Sequence, residues 1–564
     1  LIKNVGLAFS GGGFRAASFA LGTLSYLQHV QLAGLPLLQR ASFVSSTSGG
    51  SITNAFYALR LYQGHQPEAI FKELYAHLSS DALLERAMAT LTDAKAWAAY
   101  PHKTRNLINA FAITYDQVLF GGKTMEVFWN KAHQPHVEEV CFNSTELNNG
   151  ISFRFRTNGT DADIISFGNF YLGFKKESVE ALKSLRIADM VAASSCFPVG
   201  FEPIVFPNDF AAEEETPESL LNAFEFDHNN SVHKDAVQAV SFGLIDGGVV
   251  DNQGLYSLGL EDSLRPPKSA AASEPSPKGK PEPRPFDLLI ACDVASYFLD
   301  PYEVPSEPTK WYLKIPLKWI VVALALIVPL TGVTVGIFAA NREPWYYFLL
   351  LLPAYLSSGL IGYGFWKAAR ALQKEKRQVH GKVLGRYLGK LLNMRLSKIS
   401  ELLQARGRSF AQLALEVYLK QIRRLHLDKT YRNSKVSLRM ISNFIYELGA
   451  VHRDRRVLEN KKPENAWWPQ YAAQLQPSAL LEKTADAARQ VATTLWFDPH
   501  NKADLDAVAA TGQFTTCYNL IRYLNRIEQA EGPLSPDLIA LREVLLIDWA
   551  KFQADPKWML GELR

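Results

Sequence analysis

The chain has 564 residues, a formal net charge of +4, a 48% hydrophobic fraction and four cysteines. This length exceeds one ordinary domain, the composition allows a large core, and so small a net charge singles out no class of partner. Cys141, Cys196, Cys292 and Cys517 form no C-x-x-C pair, so metal and redox motifs are absent and a disulfide framework is not expected, which fits a reducing compartment. Leu1 leads almost at once into a strand-like run, with no signal peptide. The lack of an initiator methionine suits a short segment missing ahead of it.

Val5-Gly-Leu-Ala-Phe9 reads as a short buried strand, Ser10-Gly11-Gly12-Gly13 as a tight turn, and the residues from Phe14 as a helix. Three glycines let backbone N–H groups approach a ligand closely, at a helix N-terminus that favours negative charge. Such a loop serves phosphate binding or an oxyanion hole. No Gly-Lys-Ser/Thr follows, so a P-loop fails; Ala16 stands where the last glycine of G-x-G-x-x-G would be. Arg15 lies in the first helical turn, where a cation is unfavourable without a partner. It reads as a structural fork bracing the loop, or as a plain surface arginine.

Phe43-Val-Ser-Ser-Thr-Ser48-Gly49-Gly50 is an apolar run that ends in a serine before two glycines and a helical pattern. A serine at such a strand-to-helix turn has the geometry of a nucleophile elbow. It needs a base and a site for the oxyanion. Gly11 and Ser48 are one helix and one strand apart, so both turns can share one edge of a parallel sheet. Ser45, Ser46 and Ser51 are neighbours, but only Ser48 has glycine at the next two positions.

Residues 64–135 read as a helical side layer with many aromatics and no chemistry. His133 and His136 read as loop histidines, with no metal-ligand pattern around them. Glu139–Phe142 and Ile151–Phe155 read as a hairpin turned at Asn148-Asn149-Gly150. Leu185–Ser194 reads as an amphipathic helix containing a structural Asp189. Leu244-Ile245-Asp246-Gly247-Gly248 then places an aspartate at a strand end, where it can take a serine proton without a histidine. Asp251 lies past the glycines and reads as a cap or brace.

Gly11-Gly12-Gly13-Phe14-Arg15, Ser48 with Gly50, and Asp246-Gly247-Gly248 occur in that order, each after an apolar strand. Together they resemble the patatin-like phospholipase family over roughly residues 1–300. Ala192-Ala-Ser-Ser-Cys-Phe-Pro198 resembles that family's Ala-Ser-x-x-x-Pro block. The resemblance implies a three-layer α/β/α fold with a mainly parallel sheet. It implies a Ser48–Asp246 dyad, an oxyanion hole from Gly11, Gly12 and Gly13, supporting roles for Arg15, Gly49, Gly50, Gly247 and Gly248, and no cofactor. The implied activity is hydrolysis of phospholipid or lysophospholipid esters through an acyl-enzyme. An acyltransferase with the same dyad and a non-catalytic membrane scaffold are the other readings. One departure is Ser46, two before the nucleophile, where the elbow motif has glycine. No histidine lies in any of the three motifs, which favours a dyad over a triad.

Residues 264–285 read as a disordered insert rich in proline, serine and lysine. Phe286–Val294 resumes the sheet, with Asp293 a structural residue at its end. Residues 319–341 and 344–366 are two uncharged runs of 23 residues, each about 34 Å as a helix. Tryptophans and tyrosines flank them. They read as a transmembrane hairpin across residues 311–370, separated by Arg342 and Glu343. Flanking lysines and arginines place the catalytic domain, 1–310, and the helical region, 371–564, in the cytoplasm. The expected location is therefore a bacterial inner membrane. Residues 367–424 hold 15 Lys/Arg against three Asp/Glu, which suits anionic lipid head groups or a solvated basic face. Residues 425–564 read as mainly helical, with a polar break at Thr511–Tyr518. No repeat or nucleic-acid module is present.

Overall fold

Eight short runs pair into one sheet in the computed structural model: β1 (Val5–Phe9), β2 (Ala41–Thr47), β3 (Glu139–Glu146), β4 (Ile151–Arg156), β5 (Ile204–Phe206), β6 (Phe242–Asp246), β7 (Leu288–Asp293) and β8 (Met440–Phe444). The residues described are 2–157, 167–226, 241–265, 285–295, 390–460 and 474–564, apart from isolated positions, with scattered positions of 304–363. The expected insert at 264–285 and the expected second apolar run at 344–366 lie almost wholly outside them. The chain divides into two units, residues 1–299 with 418–564, and residues 300–417.

In the first unit the strand order is β8-β7-β1-β2-β3-β6-β5, with β4 also on β3. Pairing is parallel from β8 through β3 and antiparallel beyond. Side chains alternate between two buried faces, as strands covered on both sides require. Leu7, Phe9, Val44, Phe142 and Ile290 join one core cluster. Ala8, Phe43, Cys141, Leu289 and Ala291 join another. The first face is covered by α1 (Gly13–His29) and α2 (Gly49–Tyr62), with α3 (Ile187–Ser194) beside them. The second is covered by α4 (Leu255–Leu264) and α5 (Leu419–Arg432).

The C-terminal stretch completes this unit. β8 extends the sheet beside β7, in parallel. Among the helices that follow are α6 (Ala479–Gln490) and α7 (Ala503–Glu531). Thr511–Tyr518 was expected to break a helix, yet it lies inside the 29-residue α7. The Thr511 and Thr516 hydroxyls donate to the Ala507 and Gly512 carbonyls at 2.6 Å, so their polarity is satisfied within the helix. A Cβ on Gly512 would meet the Phe19 carbonyl at 2.3 Å, and one on Gly22 would meet the Ala509 carbonyl at 2.0 Å. The two glycines let α1 and α7 cross with their backbones in contact.

At the end of α1, His29 pairs with Asp548 at 3.1 Å and Glu562 at 3.4 Å. The hydrogen bond to Asp548, then that to Glu562, raises its pKa from 6.5 to about 9 against partial burial. The folded value lies above the unfolded one. The contribution is therefore fully present below pH 6.5 and is lost as pH rises through about 9. Solvent screening at this partly exposed site holds it to about 1 kcal/mol. The denaturant midpoint is expected to fall across that window, and in His29→Gln to lose this part of its slope.

In the second unit, Leu317 N–H donates to the Met394 carbonyl at 2.9 Å and Leu396 N–H to the Ile315 carbonyl at 3.2 Å. A helix follows at Leu396–Gln412, on which Leu402, Leu403 and Phe410 are exposed. The expected transmembrane hairpin does not stand. A crossing needs about 20 apolar residues in one helix, and among the described residues no helix is long and apolar enough. The two-span placement in a bacterial inner membrane, with cytoplasmic domains, falls with the hairpin.

Candidate active site

Ser48 sits between the last residue of β2 and the first of α2 with φ 51° and ψ −124°. A non-glycine residue at positive φ costs roughly 1–3 kcal/mol and persists only where its surroundings enforce it. Here the Ser48 N–H donates to Ser194 Oγ at 2.9 Å, and the Ser51 N–H to the Ser48 carbonyl at 2.8 Å. A Cβ on Gly49 would lie 1.9 Å from the Gly13 carbonyl oxygen, and one on Gly50 would lie 2.7 Å from that of Ser10. The start of α2 therefore lies directly against the glycine loop.

Ser46, where the elbow motif has glycine, is fully buried. Its hydroxyl donates to the Cys141 carbonyl at 3.3 Å and accepts from Ser51 Oγ at 3.0 Å and Asn54 Nδ2 at 2.9 Å. The side chain is absorbed into a polar network under the turn, so the elbow forms without that glycine.

The β3 register explains how Asp246 reaches this turn. β4 occupies one edge of β3 over residues 141–146. On the other edge Asn143 pairs with Thr47 of β2, and the next residue, Ser144, pairs with Asp246 of β6. The two strands thus run towards each other along one edge and end nose to nose. The Asp246 carboxylate is stabilised by the neighbouring Ser48 side chain and accepts the Gly248 N–H at 2.6 Å. Burial pushes the Asp246 carboxyl up to about 6, against the lowering effect of the Gly248 N–H and the Ser48 side chain. A Cβ on Gly247 would lie 2.2 Å from the Asn143 carbonyl oxygen, which requires glycine beside the aspartate.

Asp251 is engaged differently. Its carboxylate accepts the N–H groups of Leu255, Tyr256 and Ser257 at 3.0, 2.9 and 3.4 Å, capping α4. Asp293 pairs with Arg423 at 2.5 Å and accepts from Gln253 at 2.7 Å. Asp189 pairs with Lys103 at 2.7 Å. Among the described residues no histidine is bonded to Ser48 or Asp246.

The glycine loop faces the elbow: a Cβ on Gly11 would lie 3.2 Å from Ser48 Cβ. Its amides are divided. Gly11 N–H donates to the Asn252 carbonyl at 2.8 Å and Phe14 N–H to the Thr494 carbonyl at 2.7 Å. Gly12 and Gly13, at φ 136° and 57°, meet no acceptor among the described residues. Arg15 donates to the carbonyls of Val491 at 2.6 Å and Arg489 at 3.2 Å.

Residues that carried no signal of their own complete the site. Ser194 accepts the Ser48 N–H and donates to the Asn143 carbonyl at 2.6 Å. Asn143 donates to Ser45 Oγ and the Ser46 carbonyl, both at 2.9 Å. Cys196 accepts the Asp246 N–H on its carbonyl at 2.8 Å. Ser194 and Cys196 lie in the Ala192–Pro198 block, which was the available clue; Asn143 and Thr494 had none.

The family model for patatin-like phospholipases matches residues 7–258. No curated protein matches the chain. Among solved structures, human GIVD cytosolic phospholipase A2 in complex with methyl gamma-linolenyl fluorophosphonate is similar, at 21% identity over 28% of this chain and 23% of that one, with a TM-score of 0.23. A second structure of human GIVD cytosolic phospholipase A2 shares 13% identity over 43% of this chain and 42% of that one, with a TM-score of 0.27. The chain thus spans less than half the length of each of these structures.

Proposed function

We propose that this chain, whose residues 7–258 form a patatin-like phospholipase domain, is a serine hydrolase that cleaves carboxylic esters of phospholipids or lysophospholipids. The observation that carries the reading is the strained Ser48 beside a buried Asp246 and two glycine amides that meet no acceptor among the described residues. In this mechanism the Asp246 carboxylate takes the Ser48 hydroxyl proton as Oγ bonds to the ester carbonyl carbon. Negative charge moves onto the carbonyl oxygen, where the Gly12 and Gly13 N–H groups stabilise it. The intermediate collapses, the ester C–O bond breaks, and Asp246 returns the proton to the leaving alcohol. Water then attacks the acyl-enzyme by the same route, releasing the fatty acid and restoring Ser48.

Burial serves this role because it raises the base. A carboxyl at about 6 is a stronger proton acceptor than one near 4 and is still ionised at neutral pH. The acid limb of kcat/KM is expected to bend at about pH 6, with the rate rising as pH increases through it. The test uses a fluorophosphonate probe, short-chain esters and head-group-labelled phospholipid with purified protein. Labelling at Ser48, fatty acid release and an acid limb near pH 6 support the reading. A protein with intact Ser48 that neither labels nor cleaves any of these esters sinks it.

A further inference from the structure

The segment joining α6 to α7 lies against the glycine loop. Thr494 supplies the carbonyl that accepts the Phe14 N–H at 2.7 Å. A Cβ on Gly13 would lie 2.2 Å from that same oxygen, and one on Gly12 would lie 3.9 Å from Thr493 Cγ2. The Phe14 and Phe497 rings pack with centroids 5.9 Å apart. Arg15, only 8% exposed, reaches back to the Val491 and Arg489 carbonyls at 2.6 and 3.2 Å. These oxygens lie just beyond and within the last turn of α6, where helix carbonyls lack intrahelical partners.

We propose that residues 489–497 form a positioning strap for the oxyanion loop, and that Arg15 is the positioning residue through which the strap acts. This inference rests on the hydrolase reading above. Glycine at positive φ has no side chain to hold it, so a loop with Gly12 and Gly13 in those conformations keeps its shape only through its neighbours. Oxyanion donors are effective only when already oriented. The strap does this in two ways. Its Thr494 carbonyl engages the Phe14 N–H, as the Asn252 carbonyl engages that of Gly11, which leaves Gly12 and Gly13 as the loop amides that meet no acceptor among the described residues. Its grip on Arg15 anchors the first turn of α1, whose later turns are held by the contact with α7. The C-terminal stretch thereby belongs to the catalytic apparatus, although it supplies no group that touches substrate.

The test compares full-length wild type with Arg15→Gln, Arg15→Lys and Phe497→Ala. The readouts are kcat and KM on a short-chain ester, the rate of fluorophosphonate labelling, thermal stability, and amide exchange of residues 11–16. Arg15→Gln is expected to lower kcat and the labelling rate by about 10- to 100-fold, the scale of a misplaced reacting group. KM should stay within about twofold, and exchange of the loop amides should accelerate. Arg15→Lys, which keeps one donor for Val491, should recover part of the loss, and Phe497→Ala should fall between. Unchanged amide exchange and unchanged kcat in Arg15→Gln overturn the strap and leave the hydrolase reading intact. A rise in KM at constant kcat also overturns it, because Arg15 would then be acting on substrate. Wild-type protein with no labelling and no turnover removes the hydrolase reading itself, and the strap's catalytic role with it.

Discussion

Asp246→Asn is expected to abolish measurable ester hydrolysis, a loss of at least roughly 10⁴-fold by comparison with removal of the aspartate in other serine hydrolases, while making the protein more stable. Both effects have one cause. The Asp246 carboxyl is fully buried, and burial raises its pKa from 3.8 to about 6. Its folded value exceeds its unfolded value, so the fold prefers the protonated form. Ionisation in the native state is therefore a cost that is absent below about pH 4 and fully present above pH 6. A rise from 3.8 to about 6 corresponds to about 3 kcal/mol. Asparagine removes the charge and can still accept the Gly248 N–H, so up to that amount is expected to return as stability at pH 7. The same substitution removes the group proposed to take the Ser48 proton. Thermal unfolding and ester turnover measured on one preparation check the pair. A variant that is inactive and destabilised would point to a structural aspartate instead.

Gly49→Ala is the second large effect. A Cβ at Gly49 would sit 1.9 Å from the Gly13 carbonyl oxygen, and that oxygen belongs to backbone. No rotamer relieves the clash; either α2 or the glycine loop must move. An overpacked contact of this kind costs typically 1–3 kcal/mol. A displacement near 1 Å at reacting groups costs about 100-fold in rate. Gly49→Ala is accordingly expected to lose at least about 100-fold in kcat together with a clear drop in stability. Gly259 on α4 provides the control. A Cβ there meets nothing within 4 Å, so Gly259→Ala should gain about 0.5–1 kcal/mol from helix propensity with activity unchanged. If Gly49→Ala keeps full activity, the elbow and the glycine loop are not in the contact described.

The motif turns were legible because each follows a local rule. A buried apolar run, a glycine or serine turn and a helical pattern identify Ser10–Gly13, Ser48–Gly50 and Asp246–Gly248 as strand-end turns, whatever surrounds them. The apolar content of residues 319–341 was equally legible, yet among the described residues no helix is long and apolar enough to cross a membrane. Apolarity is a property of composition, whereas a membrane crossing requires one continuous helix. The break expected at Thr511–Tyr518 failed for a related reason. Threonine and glycine weaken an isolated helix, but satisfied hydroxyls and the close passage of α1 against Gly512 outweigh that local preference.

By itself, then, the sequence determined where the turns are and which groups stand at them, because backbone conformation at glycine and the burial of short apolar strands are set within a few residues. Tertiary structure alone decided which turns meet. Ser48 and Asp246 are 198 positions apart in the chain, and their contact depends on β3 offering Asn143 to one strand and Ser144 to the other. The division of the glycine amides depends on Asn252 and Thr494, carbonyls from distant loops that no local pattern marks. Pairing register and backbone acceptors of that kind are properties of packed neighbours, and one chain read in order contains no direct record of them.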